Sequence, residues 1–166
     1  MNRKFPSLLF PFVLLTMMCI CPNFDTEKFA KTEPTIDDIS GKYVPTSETL
    51  KNITEEGQYT VNDMFILLWP NGSFEMQNMP DWWLTHFGKS QGCLIVGQGN
   101  WEIVKQQNWW ELRLDFLSGK DLCVEEFSAG FTISIPLVGD SAPHSLWFYV
   151  GDPDTGHIMI FEKALK

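Results

Sequence analysis

The chain has 166 residues, with 21 acidic against 12 basic side chains and a net charge of −9. That is the size of one ordinary domain plus a leader. An acidic surface of this kind repels phosphate backbones, which sets nucleic-acid binding aside.

The first stretch, MNRKFPSLLFPFVLLTMMCICPN, carries Arg3 and Lys4 and then no charge until Asp25. Its apolar run, Phe5 to Cys21, is 17 residues long and contains Pro6 and Pro11. A spanning helix needs about 20 apolar residues, so the run reads better as a secretory signal over residues 1–21. An uncleaved signal anchor is the alternative. Cys19 and Cys21 stand where the apolar core ends, as the lipidated cysteine of a bacterial lipoprotein does. Met18 and Ile20 precede them, however, where that pattern wants a small residue. Lipidation and plain cleavage both stay open, and both place the domain outside the cytoplasm, secreted or held at the cell envelope. Loss of residues 1–21 removes Arg3 and Lys4 and takes the net charge from −9 to −11.

Residues 22–40 (PNFDTEKFAKTEPTIDDIS) are polar, hold two prolines and show little periodicity. They read as a flexible tether, because so little apolar surface cannot offset the entropy of ordering. From Gly41 the signals are nearly all β. Gly41 to Val44 starts a first strand, and residues 45–56 have room for one or two helical turns. The apolar run Met64 to Trp69 meets Pro70-Asn71-Gly72-Ser73, a tight-turn signal in which Asn and Gly both tolerate positive φ. Phe74 and Met76 then alternate with Glu75 and Gln77 on the return strand. The chain continues with Gly99–Gln106 and Trp109–Phe116, joined by Gln107-Asn108. In the second of these, Trp110, Leu112, Leu114 and Phe116 share a face opposite Glu111, Arg113 and Asp115, the pattern of a half-buried antiparallel strand. Gly130–Val138 follows, with Pro136 predicting an edge or a break because it cannot donate to a ladder. Ser145–Val150 and His157–Ala164 close the series. The expectation is all-β: an antiparallel up-and-down meander of about eight short strands over residues 41–166, closed into a barrel that leaves no open edge.

The Gly41-Lys42-Tyr43 start resembles the Gly-x-Trp that opens lipocalin-like barrels. The series of apolar strand, Pro-Asn-Gly-Ser, Phe74 and then Gly99-Asn100-Trp101 is similar to small lipocalin-like secreted domains of bacteria. The resemblance covers residues 41 to about 116. Tyr43 stands where the usual tryptophan would, and the insertion from Asn78 to Gln98 exceeds the pattern. The whole chain also resembles bacterial envelope lipoproteins of uncharacterised function. What the resemblance implies is a barrel; it supplies no ligand.

Pro80 to Cys93 (PDWWLTHFGKSQGC) is the densest group of chemically interesting side chains. Pro80 suits a first helical turn, Trp83 and Phe87 four apart share a helix face, and Gly88 suits a cap. A short helix over 81–87 is therefore expected. It either plugs the barrel with rings worth on the order of 2–3 kcal/mol each when buried, or roofs an internal pocket. In the second case Trp82, Trp83, His86, Phe87 and the inward Trp110 are the ligand-binding residues, with Asp81 or His86 as polar handle. Cys93 and Cys123 form a disulfide or remain two buried thiols. Trp109, Trp147 and Tyr149 point outward and form a docking patch if they are neighbours.

Asp152-Pro153-Asp154-Thr155-Gly156 lacks the full oxygen set of a calcium loop and is explained as a turn. His86, His144 and His157 have no metal-ligand spacing, and no nucleophile elbow or phosphate loop occurs. Neither metal nor cofactor is expected. Asn52-Ile53-Thr54 and Asn71-Gly72-Ser73 match the glycosylation sequon, which matters only in a eukaryotic secretory pathway. The leading expectation is a non-enzymatic envelope protein whose barrel binds a small or apolar ligand. The alternatives are a module docking on another envelope protein through outward aromatics, and a hydrolase using His86 with Asp81 or Cys93.

Overall fold

The alternation read from the sequence becomes nine strands in a computed structural model that describes residues 26–57, 59, 63–81, 92–121, 126–127, 130–149 and 158–164. The strands are β1 (Gly41–Pro45), β2 (Phe65–Leu68), β3 (Ser73–Pro80), β4 (Leu94–Gln106), β5 (Trp109–Asp121), β6 (Glu126–Phe127), β7 (Thr132–Val138), β8 (Ser145–Tyr149) and β9 (Ile158–Lys163). Neighbours run β1-β2-β3-β4-β5-β7-β8-β9 and return to β1, every pair antiparallel. The result is the expected closed eight-strand up-and-down barrel. The two-residue β6 is an extra strip on the far end of β5. Closure is made by Tyr43↔Lys163, Val44↔Glu162 and Pro45↔Phe161, so the meander has no exposed ladder at that seam.

Alternate residues fill the barrel. Tyr43, Ile66, Leu68, Phe74, Met76, Ile95, Leu112, Leu114, Phe116, Ile135, Leu137, Leu146 and Phe161 are all buried in one core. An eight-strand interior is just wide enough for side chains or one small ligand, and glycines decide how it fills at mid-height. A Cβ on Gly99 would lie 2.0 Å from the Asp115 carbonyl oxygen and 2.8 Å from Phe74, and one on Gly97 would lie 2.6 Å from Phe116. β4 thus gives up two side chains so that Phe74 and Phe116 can meet edge to face at 5.0 Å.

Two bulges shift the alternation. Asn78 takes φ 57° between Met76 and Met79, so both methionines face inward although they are three apart. On β5 the extra residue is Leu117, which is 60% exposed. At the β2–β3 turn Gly72 alone takes positive φ, at 83°, while Asn71 acts through its side chain: its Oδ1 accepts the Ser73 N–H at 3.0 Å and hydroxyl at 2.7 Å. β4 and β5 are also longer than expected, because their hairpin continues past the Leu117 bulge to Ile95↔Asp121.

Among the described residues two short α-helices accompany the barrel. Helix α1 (Ile36–Ile39) precedes β1, and α2 (Ser47–Gly57) fills the room expected for a turn or two. Residues 26–40 depart from the expected tether. Thr26–Lys28 form a 3-10 turn, Phe29 bridges to Val138, and Phe29, Ala30 and Ile39 are buried. A few apolar residues docking onto an existing barrel need no core of their own, so a low apolar content does not keep this segment from ordering.

Candidate functional site

In an up-and-down barrel successive connections alternate between the two ends. One rim, called here the closed rim, holds the β2–β3, β4–β5 and β7–β8 turns, both chain termini of the barrel, and residues 26–40. The other, the loop rim, receives the four longer connections: β1–β2, β3–β4, β5–β7 and β8–β9. The strand ends bordering Pro80–Cys93, the Cys123 segment and the Asp152–His157 segment therefore all lie at the loop rim.

At the loop rim, α2 is pinned across the end of β9. Thr49 Oγ1 accepts the Ile160 N–H at 2.8 Å and donates to the Ile160 carbonyl at 3.2 Å. The Thr46 hydroxyl oxygen accepts the Thr49 N–H as an N-cap. Thr49 and Ile53, one turn apart, are the buried face of this helix. Next to it, Tyr59 is 4% and Asp81 2% exposed, and the Tyr59 hydroxyl donates to Asp81 Oδ1. Asp81 N–H also donates to the Cys93 carbonyl at 2.9 Å, beside the Pro80↔Leu94 pair. The base of the aromatic insertion is thus clamped on both sides. Pro80 ends β3, and Asp81 directly after it takes a 3-10 conformation. The predicted helix beyond Asp81, with Trp82, Trp83, His86 and Phe87, lies outside the described residues, as do His157, the Asp152–Gly156 turn and Cys19, Cys21 and Cys123.

Cys93 is buried and disulfide-bonded. A sulfur held in a disulfide has no thiolate to offer, so Cys93 cannot be the nucleophile of the hydrolase alternative. Trp110 departs from its expected company: it begins the closed-rim end of β5, half-buried against the core, with Lys105 Nζ 5.6 Å from its ring centre. It therefore stands at the opposite end of the barrel from the strand ends that flank Trp82, Trp83, His86 and Phe87. His144 is buried in the β7–β8 turn with Nδ1 2.9 Å from the Gly139 carbonyl, a partner that accounts for it structurally. Among the described residues no three His, Cys, Asp or Glu side chains converge as metal ligands.

The closed rim is built by the N-terminal segment. β7 pairs with β5 as far as Glu111↔Pro136, and with β8 at Leu137↔Leu146 and Val138↔Ser145. Pro136 thus marks where β7 changes partners without leaving the sheet. Ala30 enters the seam beyond it: its N–H donates to the Leu137 carbonyl at 2.8 Å and its carbonyl accepts the Trp110 N–H at 3.0 Å. Gly139 N–H donates to the Lys28 carbonyl at 3.0 Å. Phe29 lies between Trp109, at 5.7 Å, and Trp147, at 6.1 Å, with Lys28 over Trp147. Trp109 Nε1 donates to Glu111 Oε1 at 2.8 Å. Burial and the nearby Glu111 charge both push the Tyr149 phenol up, in that order. The outward aromatics are therefore contiguous, and Phe29 occupies their centre.

Further along this rim a Thr35–Asp38 capping box starts α1. The Thr35 hydroxyl and N–H, in that order, hold the Asp38 carboxyl below the usual carboxylate range. The buried Tyr43 hydroxyl donates to the Ile39 carbonyl at 2.9 Å, and burial, then the Asp38 charge, push its phenol well above the ordinary range. Lys163 Nζ donates to the carbonyls of Asp37 and Asp38 at 3.1 and 3.0 Å. Between α1 and β4 runs an open groove of about 590 Å³, lined by Pro34, Ile36, Trp101 and Ile103 with Glu33 and Glu102 at its edge. The Tyr59–Asp81 pair and the docked segment gave little sign in the sequence. The visible signals were Phe29 in a polar run and Thr-x-x-Asp ahead of Ile39.

The fold and its two rims define an all-β closed meander barrel. Comparison of the chain with protein-family models, curated proteins and solved structures finds no match.

Proposed function

We propose that the chain is a non-enzymatic exported domain, tethered at the cell envelope, whose barrel takes a small apolar ligand through the loop rim. The observation that carries this reading is the asymmetry of the barrel. One end is sealed by residues 28–40, and the other receives every long connection, including the one rich in indole rings. Four buried methionines, Met64, Met76, Met79 and Met159, belong to the core and can re-pack around a guest. The apolar leader and the bonded Cys93 support an oxidising, extracytoplasmic site. The lipocalin-like resemblance of residues 41 to about 116 points the same way.

The test is titration of the purified full chain with the neutral fluorophore N-phenyl-1-naphthylamine, alongside mass spectrometry of its organic extract. Saturable binding is expected. Replacing Trp82 and Trp83 together by alanine should weaken it by roughly tenfold or more, since each buried ring is worth on the order of 2 kcal/mol. No saturable signal and no co-purifying small molecule would sink the reading.

A second reading, docking on another envelope protein through the outward aromatics, is favoured by the contiguity of Trp109, Phe29 and Trp147. Phe29 already fills the middle of that patch, which leaves only its flanks for a partner.

A further inference from the structure

The exposed large apolar side chains are unevenly placed. Among the described residues, Ile36 (51% exposed) in α1 and Trp69 (36%) at the β2–β3 turn both belong to the closed rim. Leu117, the third, sits on the β5 bulge in the half nearer the loop rim. Trp109 at this rim and Trp147, midway along β8, are both partly buried and flank Phe29. Lysines are interleaved with them: Lys28 over Trp147, Lys105 over Trp110, and Lys31. Indoles with neighbouring amines suit the boundary between headgroups and acyl chains, where one end of the side chain is wet and the other is not.

The position of the chain's start selects the occupant. The polypeptide preceding Thr26 joins the barrel at the closed rim, and its apolar run ends at Cys21, five residues earlier. Five residues reach at most about 18 Å, and the seven from Cys19 about 25 Å. Outside the long β4–β5 hairpin the barrel strands have 4 to 8 residues and rise about 13–26 Å along the strand, a length comparable to the reach of the tether. Because the chain enters at the closed rim, a tether anchored at Cys21 or Cys19 keeps that rim as the end nearest the bilayer.

We propose that the closed rim is a lipid-facing surface, with Ile36, Trp69, Trp109 and Trp147 in the headgroup layer and the loop rim directed away from the membrane. Glu27, Glu33, Asp37 and Asp38 lie on the same side, so the fitting surface is zwitterionic; an anionic one would be repelled. This rests on the envelope-tether part of the function proposed above. It adds an orientation: ligand reaches the barrel from the aqueous side.

The test uses the full chain reconstituted into phosphatidylcholine vesicles, with and without brominated acyl chains that quench nearby indoles. The chain is expected to float with the vesicles and to show bromine-dependent quenching. The Trp69→Phe, Trp109→Phe and Trp147→Phe variants together should at least halve that quenching. Trp82→Phe with Trp83→Phe should leave it unchanged. Ile36→Ser, at an exposed position that does not threaten folding, should reduce retention of the floated chain under a salt wash. Adding anionic lipid should weaken the quenching.

A chain that does not float overturns the tether reading and this proposal together. A chain that floats, but whose quenching follows Trp82 and Trp83, overturns the orientation alone. Flotation with closed-rim indoles open to aqueous acrylamide and protected only by an added envelope protein would assign the surface to a protein partner and overturn the lipid.

Discussion

The two rims of this barrel are made by different means. The closed rim is assembled from short turns and a docked N-terminal segment: backbone groups of Ala30, Gly139 and Trp110 share one small ladder, and the Tyr43 and Lys163 side chains tie α1 down. At the loop rim, buried side-chain pairs and a disulfide do most of the fastening. Thr49 grips Ile160, Tyr59 meets Asp81, and Cys93 is bonded. Backbone ladders tolerate a change of side chain, whereas a buried hydroxyl–carboxylate pair does not. The comparison teaches that one end is built for closure, and that the specific chemistry has been gathered at the other.

Substitutions at the two ends and between them test that contrast. The largest effect is expected from Phe29→Ala, which empties a slot between two indoles and should cost about 3–5 kcal/mol in chemical denaturation. The amides of Trp110 and Gly139 should lose exchange protection with it. A cost below about 1 kcal/mol would mean that the closed rim is not structural. Between the rims, Gly99→Ala forces a methyl into the Asp115 carbonyl and the Phe74 ring, with an expected loss of about 1–3 kcal/mol or more. Phe74→Leu in the same chain should recover only part of it, because the carbonyl remains. At the loop rim, Thr49→Val leaves the Ile160 N–H without its partner, while the Ile160 carbonyl keeps the Thr46 N–H at 3.0 Å. It should lower stability by about 1–3 kcal/mol while the closed-rim amides stay protected.

The smallest effects concern pH. Tyr43 is held neutral by burial, so its folded pKa is raised and its contribution is complete below the unfolded value, about 10. That stability is lost as pH rises above this value, and Tyr43→Phe should flatten the alkaline slope at a cost of about 1 kcal/mol for the lost hydrogen bond. Asp38 runs the other way. Its folded pKa is depressed, so its contribution is present above about pH 4 and fades as pH falls through the folded value. Thr35→Ala should remove that acid-side dependence of the Ser40 amide's exchange.

Much of the fold was legible because alternation is a local signal. Trp110, Leu112, Leu114 and Phe116 declared their shared face two residues at a time, and Pro70-Asn71-Gly72 declared its turn. Even the sorting of connections between rims was within reach, since parity along a meander places the ends of segments 80–93 and 150–157 together and Trp110 at the far end. Grouping Trp110 with Trp82, Trp83, His86 and Phe87 overlooked that parity. Leu117 and Met79 were harder to place, because a bulge adds one residue and inverts every side chain after it.

Strand identity, the barrel class and the aromatic insertion were thus determined by the sequence alone, through periodicities of two and a few turn residues. Only the tertiary structure decided that Phe29 and Ala30 belong to the wall. It also decided that Pro136 marks a change of partners within a continuous strand, and that Asp81 is buried beside Tyr59. Each of these depends on at least one partner more than 20 residues away, such as Glu111 for Pro136 and Tyr59 for Asp81, and no local pattern carries the energy of a contact at that separation.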